Sequence, residues 1–277
     1  MYSGSTLKQL HTLDTWFGAH QKIDRLARKR LAELTSETVA AMFPETKQIV
    51  HFEGVNGPDA IKRKTPAQDE PWHYYDPYDD KDHKLLDIIA AHHTNLVKAL
   101  KAQNITRASF EAAWLAHAIV DGLTPAHHYP YESELIRLRG GAAIETRRSP
   151  KEKLLMPGDT ITEKVRNNWQ MWGDKGLLAT HIAFEAGVAL VILPLRYQSL
   201  HLAEQPPEKT KKNDYLLYFQ SQAKKVAEAR LYEQFYKTGW TPKLARQVRR
   251  DLIPILVDVV ATVWCSALQE AQRKEKN

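Results

Sequence analysis

Residues 110–122 constrain this chain more than any other stretch. Phe110, Trp114, His117 and Val120 share one mostly apolar helical face, and Asp121 follows His117 by four positions. On a helix, residues four apart lie one above the other. The imidazole and the carboxylate are therefore held together on a face that the fold must bury. A buried carboxylate is costly unless a partner or a metal ion meets it. Gly122 and Pro125 then end the helix, because proline cannot continue it and biases its predecessor away from helical geometry. The chain turns and brings His127 back beside the helix end. The result is His117-x3-Asp121-x5-His127, three ligand-type side chains from one helix and its exit turn. Taken alone, the stretch fits a metal site and a satisfied core histidine about equally.

A second such pair lies further on. Residues 176–193 predict a helix ended by Pro194, strongly apolar through Leu177, Leu178, Ile182, Phe184, Val188, Leu190 and Val191, yet it carries His181 and Glu185 one turn apart. Two polar groups on a buried helix again demand a partner or a metal.

The rest of the chain reads as helices and connections. Residues 7–42 predict a helix with a break near Gly18, and His20 opens its main piece, four before Asp24. Residues 47–82 show no sustained periodicity and read as a loop, ending in the aromatic run Trp72-His73-Tyr74-Tyr75-Asp76-Pro77-Tyr78. Long irregular segments inside a domain are often functional, and Asp59 and His73 are the candidate ligands here. Residues 83–102 predict a helix that carries the adjacent His92 and His93. Ser109, or alternatively Thr106, is the expected cap of the helix bearing His117. Residues 129–161 read as an irregular excursion. Further helices are expected at 162–172, 210–238 and from Thr241-Pro242 to about Gln272, with a bend at Pro254. No internal repeat, strand alternation or glycine-rich phosphate loop is visible.

Bulk properties exclude some classes. The single cysteine, Cys265, rules out an internal disulfide framework. The net charge of +6 is modest over 277 residues and suits an anionic substrate or surface without demanding one. The basic stretches, such as 246–250, read as solvated helix faces. The most apolar runs, 186–195 and 252–268, are short for a bilayer, and the second contains Asp258. No transmembrane segment is expected. With no signal peptide seen, a cytoplasmic location is the default expectation.

The combined pattern resembles the zinc-dependent bacterial phospholipases C and their relatives, the fungal single-strand-specific nucleases. His117-x3-Asp121-x5-His127 resembles that family's central motif, including the proline before the last histidine. His181-x3-Glu185 resembles its next pair, and Asp59-x13-His73 has its spacing. His73-Tyr74-Tyr75-Asp76-Pro77 is similar to the His-Phe-Tyr-Asp-Pro of the phospholipases, and His20 resembles the N-terminal ligand. The likeness spans roughly residues 15–187.

The resemblance implies an all-α, single multi-helix domain over residues 1–277, binding two to three zinc ions. By similarity, Asp59, His73, His117 and Asp121 would hold one ion, and His127, His181 and Glu185 a second. His20 and Asp121 would hold a third. It further implies hydrolysis of phosphoric esters by a metal-activated hydroxide, with Asp59 as general base, in a phospholipase C-like phosphodiesterase. The partner would be a phospholipid or other phosphodiester, reached by transient membrane-surface contact. Nucleic acid would enter only as substrate. A single-strand nuclease or nucleotidase and a non-catalytic, metal-stabilised relative are the alternatives.

Three departures accompany the likeness. Members of the family are secreted, and their mature chains begin with a zinc-binding Trp. Leu7 falls at that distance before His20, with His11 as a candidate replacement. Residues between His127 and His181 number 53, far more than in the phospholipases. Ala60 and Glu70 stand where the choline-binding phospholipase has aromatics, so choline specificity is not implied; Trp72, Tyr74, Tyr78, Tyr129 and Tyr131 are the aromatics available to line a pocket.

Overall fold

The computed structural model describes residues 18–64, 72–202 and 214–273, and among these there are helices and connections but no β-strand. The protein is all-α. Helix α1 (Ala19–Leu34) starts at Gly18 and buries Ile23, Leu26, Ala27 and Leu31 at helical spacing, together with His20 and Asp24. It stops at Thr35, whose hydroxyl bonds back to the Leu31 carbonyl, and Ser36 caps the short α2 (Glu37–Ala40). The helix expected to reach residue 42 is thus interrupted. Its expected portion before Gly18 lies outside the described residues.

The stretch expected to be a loop at 47–82 is partly helical. Helix α3 (Thr46–Val50) is set by a capping box between Glu45 and Gln48. Helix α4 (Pro58–Lys64) begins on a proline, which has no N–H to leave unpaired. Five and seven residues are too few for a periodicity to show in sequence.

Helices α5 (Lys84–Lys101) and α6 (Ile105–Gly122) form an antiparallel pair. Asn104, and neither Ser109 nor Thr106, caps α6 by accepting from the Arg107 amide. Ser109 instead donates to the Ile105 carbonyl one turn back. Gly122 is required by packing: a Cβ there would come within 2.5 Å of Leu85 and 2.6 Å of Phe219.

The excursion at 129–161 contains helices α7 (Tyr131–Leu138) and α8 (Pro150–Leu154). With α9 (Ile161–Trp172) they enclose a small second core of Tyr131, Leu135, Leu138, Ile144, Met156 and Met171. Helix α10 (Leu177–Ile192), expected to be a buried helix, is only partly so. It buries Phe184, Val188 and Ile192 but leaves Ile182 and Leu190 in solvent.

The helix expected at 210–238 is two: α11 (Asp214–Glu228) and α12 (Leu231–Thr238), separated where Arg230 adopts a left-handed φ of 50°. Thr241 caps α13 (Pro242–Gln247), with Pro242 in its first turn. A π-turn at Val248–Leu252 then joins α13 to α14 (Ile253–Gln272). Pro254 lacks the amide that would continue an α-ladder, and the slipped register lies just before it.

Helix α14 is the axis of the main core. It packs on α1, α5, α6 and α11, and its Trp264 donates to the Ala112 carbonyl at 3.0 Å. Cys265 is buried in it. The charged Asp258 in this apolar run meets Arg30 Nε at 3.0 Å and the Tyr218 hydroxyl at 2.9 Å. By length and composition alone, two segments, Ile161–Ile192 and Pro242–Gln272, are apolar enough to cross a membrane. In the second, 83% of the most apolar window is buried, as befits a core helix. In the first only 44% is, and it is broken between α9 and α10.

Candidate metal centre

Asp121 is fully buried on α6 and lies at the centre of the site. His73 Nδ1 approaches its Oδ2 at 2.5 Å, and His117 Nε2 lies 3.3 Å from the same oxygen. His20 Nε2, from the start of α1, lies 3.3 Å from Oδ1, and His127 Nδ1 lies 3.9 Å from it. Asp59 at the start of α4 reaches His117 Nε2 at 3.6 Å. Asp59, His73 and His117 form one group whose ligand atoms lie within 4.8 Å of one another.

The turn after α6 sets the second group. His127 sits in a 3-10 turn (Pro125–His128) held by the Thr124 hydroxyl on the Val120 carbonyl. The aromatic loop is tied to this turn in both directions: His127 Nδ1 donates to the His73 carbonyl at 2.7 Å, and the Tyr75 amide donates to the His127 carbonyl at 3.2 Å. His127 Nε2 then faces Glu185 Oε1 at 2.8 Å, and His181 Nε2 lies 3.1 Å from the same oxygen. His127, His181 and Glu185 form a second compact group.

Six of the eight residues singled out from sequence, His20, His73, His117, Asp121, His127 and His181, are buried. The side chains of Asp59 and Glu185 are 16% and 13% exposed, so these two carboxylates mark the open edge. Tyr74 and Tyr131 stack at 5.1 Å beside that edge, and Tyr131 lies 5.6 Å from His181. Tyr78 is exposed, and Tyr129 packs toward Tyr232.

Two residues of the site had no helical signal or were passed over. Glu53 is buried between α3 and a 3-10 turn (Gly54–Asn56), and its Oε2 accepts from His117 Nδ1 at 3.1 Å. Glu53, His20 and His117 form a third compact group. No periodicity marks Glu53, because short turns on either side set its position. Asp24 is also buried, and its Oδ2 and Glu53 Oε1 accept no hydrogen bond among the described residues. The four-residue spacing from His20 was the available signal. His92 and His93 stand apart: His92 pairs with Glu111 at 2.6 Å, and His93 stacks on Tyr215 at 4.0 Å. Leu7, His11 and Glu70 lie outside the described residues.

The electrostatics follow from burial opposed by close charge. Burial pushes His117 down, but the carboxylates of Glu53, Asp121 and Asp59 hold it well above the usual histidine range. Burial pushes Asp121 up, but positive charge around it, including that of His127 and His117, holds it well below the carboxylate range. Burial, then the adjacent His117, lowers His20, whose ring stacks on that of His117 at 3.8 Å. Burial and then the charge of Glu53 push Asp24 well up.

These residues fit a zinc ion. The donors are imidazole and carboxylate with no thiolate, a set suited to zinc with open positions. Metal–ligand bonds of about 2.0–2.1 Å in a tetrahedron put ligand atoms about 3.3 Å apart. The separations of 3.3 and 3.6 Å at His117 and 3.1 Å at His181 are of that size, whereas His73–Asp121 at 2.5 Å and His127–Glu185 at 2.8 Å stand at hydrogen-bond distances and would have to open around an ion. Burial lowers His127 from the usual histidine range, opposed by Asp121 and Glu185. With Nδ1 turned to the His73 carbonyl, His127 aims Nε2 at Glu185, whose carboxyl, despite burial, is held well below its usual range by surrounding positive charge that includes His181. The histidine–carbonyl and histidine–carboxylate bonds behind His127 and His117 are of the kind that orients imidazoles in metal sites.

Comparison of the chain with protein-family models, with curated proteins and with solved structures gives no match.

Proposed function

We propose that the chain is a zinc-dependent phosphoric-ester hydrolase, a phospholipase C-like phosphodiesterase. The observation that carries this reading is the convergence of Asp59/His73/His117 and His127/His181/Glu185 around the shared, buried Asp121. Asp59, His73, His117 and Asp121 would hold one ion, and His127, His181 and Glu185 another. His20 and Asp121, with Glu53 nearby, are the set available to a third. Zinc bound in such a site supplies Lewis acidity toward phosphoryl oxygens and a nucleophile at neutral pH.

The side chains divide the remaining work. Asp59, on the open edge, takes the proton released when water attacks phosphorus. Glu53 holds the His117 ring by its Nδ1–H, and the His73 carbonyl does the same for His127, so both Nε2 atoms stay aimed inward. Burial of the cluster excludes bulk water and strengthens every charge–charge contact within it. The nuclease alternative needs bases stacking on free aromatic faces beside the site. Tyr74 and Tyr131 stack on each other, which favours the phosphodiesterase reading.

The test is metal content followed by turnover. Protein purified without chelator should carry two to three zinc ions per chain by elemental analysis, as expected from the residue groups. It should hydrolyse bis(p-nitrophenyl) phosphate and a short-chain phospholipid faster than single-stranded DNA. Faster release from DNA would make it a nuclease. Bound zinc with no turnover on any ester would make it a metal-stabilised, non-catalytic protein. Absence of metal after zinc is supplied would overturn the reading.

A further inference from the structure

The excursion between the two histidine groups carries an apolar surface that no described residue covers. In α9, Ile161, Val165, Trp169 and Trp172 recur at i, i+4, i+8 and i+11, one stripe of a helix. All four are exposed, Ile161 at 82% and Trp169 at 66%. Met171, on the adjoining face, is fully enclosed, and Asn168, at the edge of the stripe, bonds the Met156 backbone through both its amide oxygen and its amide nitrogen. Leu154 and Leu155, also exposed, adjoin the stripe, because Trp172 Nε1 donates to the Leu154 carbonyl at 2.6 Å. Single exposed apolar residues are ordinary, but a contiguous patch marks an interaction site.

Charge identifies the occupant. By helical position, Lys164 lies on one flank of the stripe and Arg166 on the other, and both are exposed. Residues 147–175 hold seven Lys or Arg against four Asp or Glu, a local excess of three. One of those acids, Glu163, is used internally, accepting from the Asp159 and Thr160 amides. A helix with tryptophan and aliphatic residues on one face, framed by cations, is suited to lie in the interface of an anionic bilayer. Each basic residue near such a surface adds to the attraction.

We propose that α9 and the adjoining Leu154–Leu155 turn form a docking surface for an anionic phospholipid bilayer. This rests on the excursion alone and not on the hydrolase reading. It bears on that reading because the excursion adjoins both halves of the metal centre. Helix α8 packs on α4, which carries Asp59, and α9 packs on α10, which carries His181 and Glu185.

The experiment is sedimentation of the full chain, as purified without chelator, with vesicles of phosphatidylcholine, with and without phosphatidylglycerol, the intact lipid in each pellet being measured alongside. The chain should bind the anionic vesicles with a blue shift of tryptophan emission, and salt should weaken binding. Val165→Ser/Trp169→Ser and Lys164→Glu/Arg166→Glu should each bind at least about tenfold more weakly, with unchanged helical circular dichroism and unchanged turnover of a soluble phosphodiester. No vesicle binding by the parent, or binding by both double variants as tight as the parent's, would overturn the surface while leaving soluble turnover intact. Self-association without lipid that Val165→Ser/Trp169→Ser abolishes would assign the face to a second copy and equally overturn it. Vesicle binding lost in the variants, in a protein without turnover, would support the surface and count against the hydrolase alone.

Discussion

Glu53 Oε2 accepts the Nδ1 proton of His117 at 3.1 Å, from a loop 64 residues away in sequence. The bond leaves His117 Nε2 as the atom presented to Asp59 and Asp121. Replacing Glu53 by Gln keeps the size but removes the charge that holds the ring and raises its basicity. Outer-shell changes of this kind cost about 10–100-fold in metal affinity. We expect zinc retention against a chelator to weaken by that factor with helix content unchanged. Equal retention would mean that the pair serves packing only.

Removing metal should destabilise the fold. Ionised Asp121 and Glu185 sit in a crowded, buried cluster. A ligand that binds only the folded state stabilises it by about 4 kcal/mol at a thousand times its Kd. Chelated protein should therefore melt at a lower temperature than zinc-loaded protein. Asp121→Asn, which weakens the shared ligand, should shrink the difference. A melting temperature indifferent to zinc would contradict the metal centre.

The Arg30–Asp258–Tyr218 contact ties α1, α11 and α14 together in the interior. Losing one partner of a buried ion pair costs about 3–5 kcal/mol, because the other charge stays buried. Asp258→Ala should lower stability by that amount in urea unfolding. The double change Arg30→Met/Asp258→Leu should recover most of it. A double variant no better than the single would show that the pair is not the cause.

His93 gives a pH dependence remote from the candidate metal centre. It is buried against Tyr215 and Ser266, and burial lowers it from 6.5 to about 4. Between these values the unfolded chain binds the proton and the folded one does not. Its contribution is present in full above about pH 6.5 and is lost as pH falls toward 4. The difference between 6.5 and about 4, at about 1.36 kcal/mol per pH unit, sets an upper limit of about 3.4 kcal/mol. Urea unfolding from pH 7 to 4 should show a shallower loss in His93→Gln than in the parent. Parallel curves would dismiss this histidine as the titrating group.

The sequence by itself determined the helical class, because apolar residues at helical spacing left no alternation for strands. It also determined which residues on α6 and α10 had to meet partners. His117 with Asp121, and His181 with Glu185, are fixed by a spacing of four that only a helix brings into register, and the structure pairs them at 3.3 and 3.1 Å. The caps at Thr241-Pro242 and the chain stop at Gly122-x2-Pro125 were legible for the same local reason. Tertiary structure alone decided the rest. It joined the aromatic loop to the turn after α6, His127 Nδ1 donating to the His73 carbonyl and the Tyr75 amide to the His127 carbonyl, and brought Glu53 to His117. It also built helices α7 and α8 inside the excursion and left one face of α9 in solvent. These outcomes depend on which segments meet across long separations. A short helix or a turn carries too few residues to announce its burial, and the direction a helix faces is set by what packs on it.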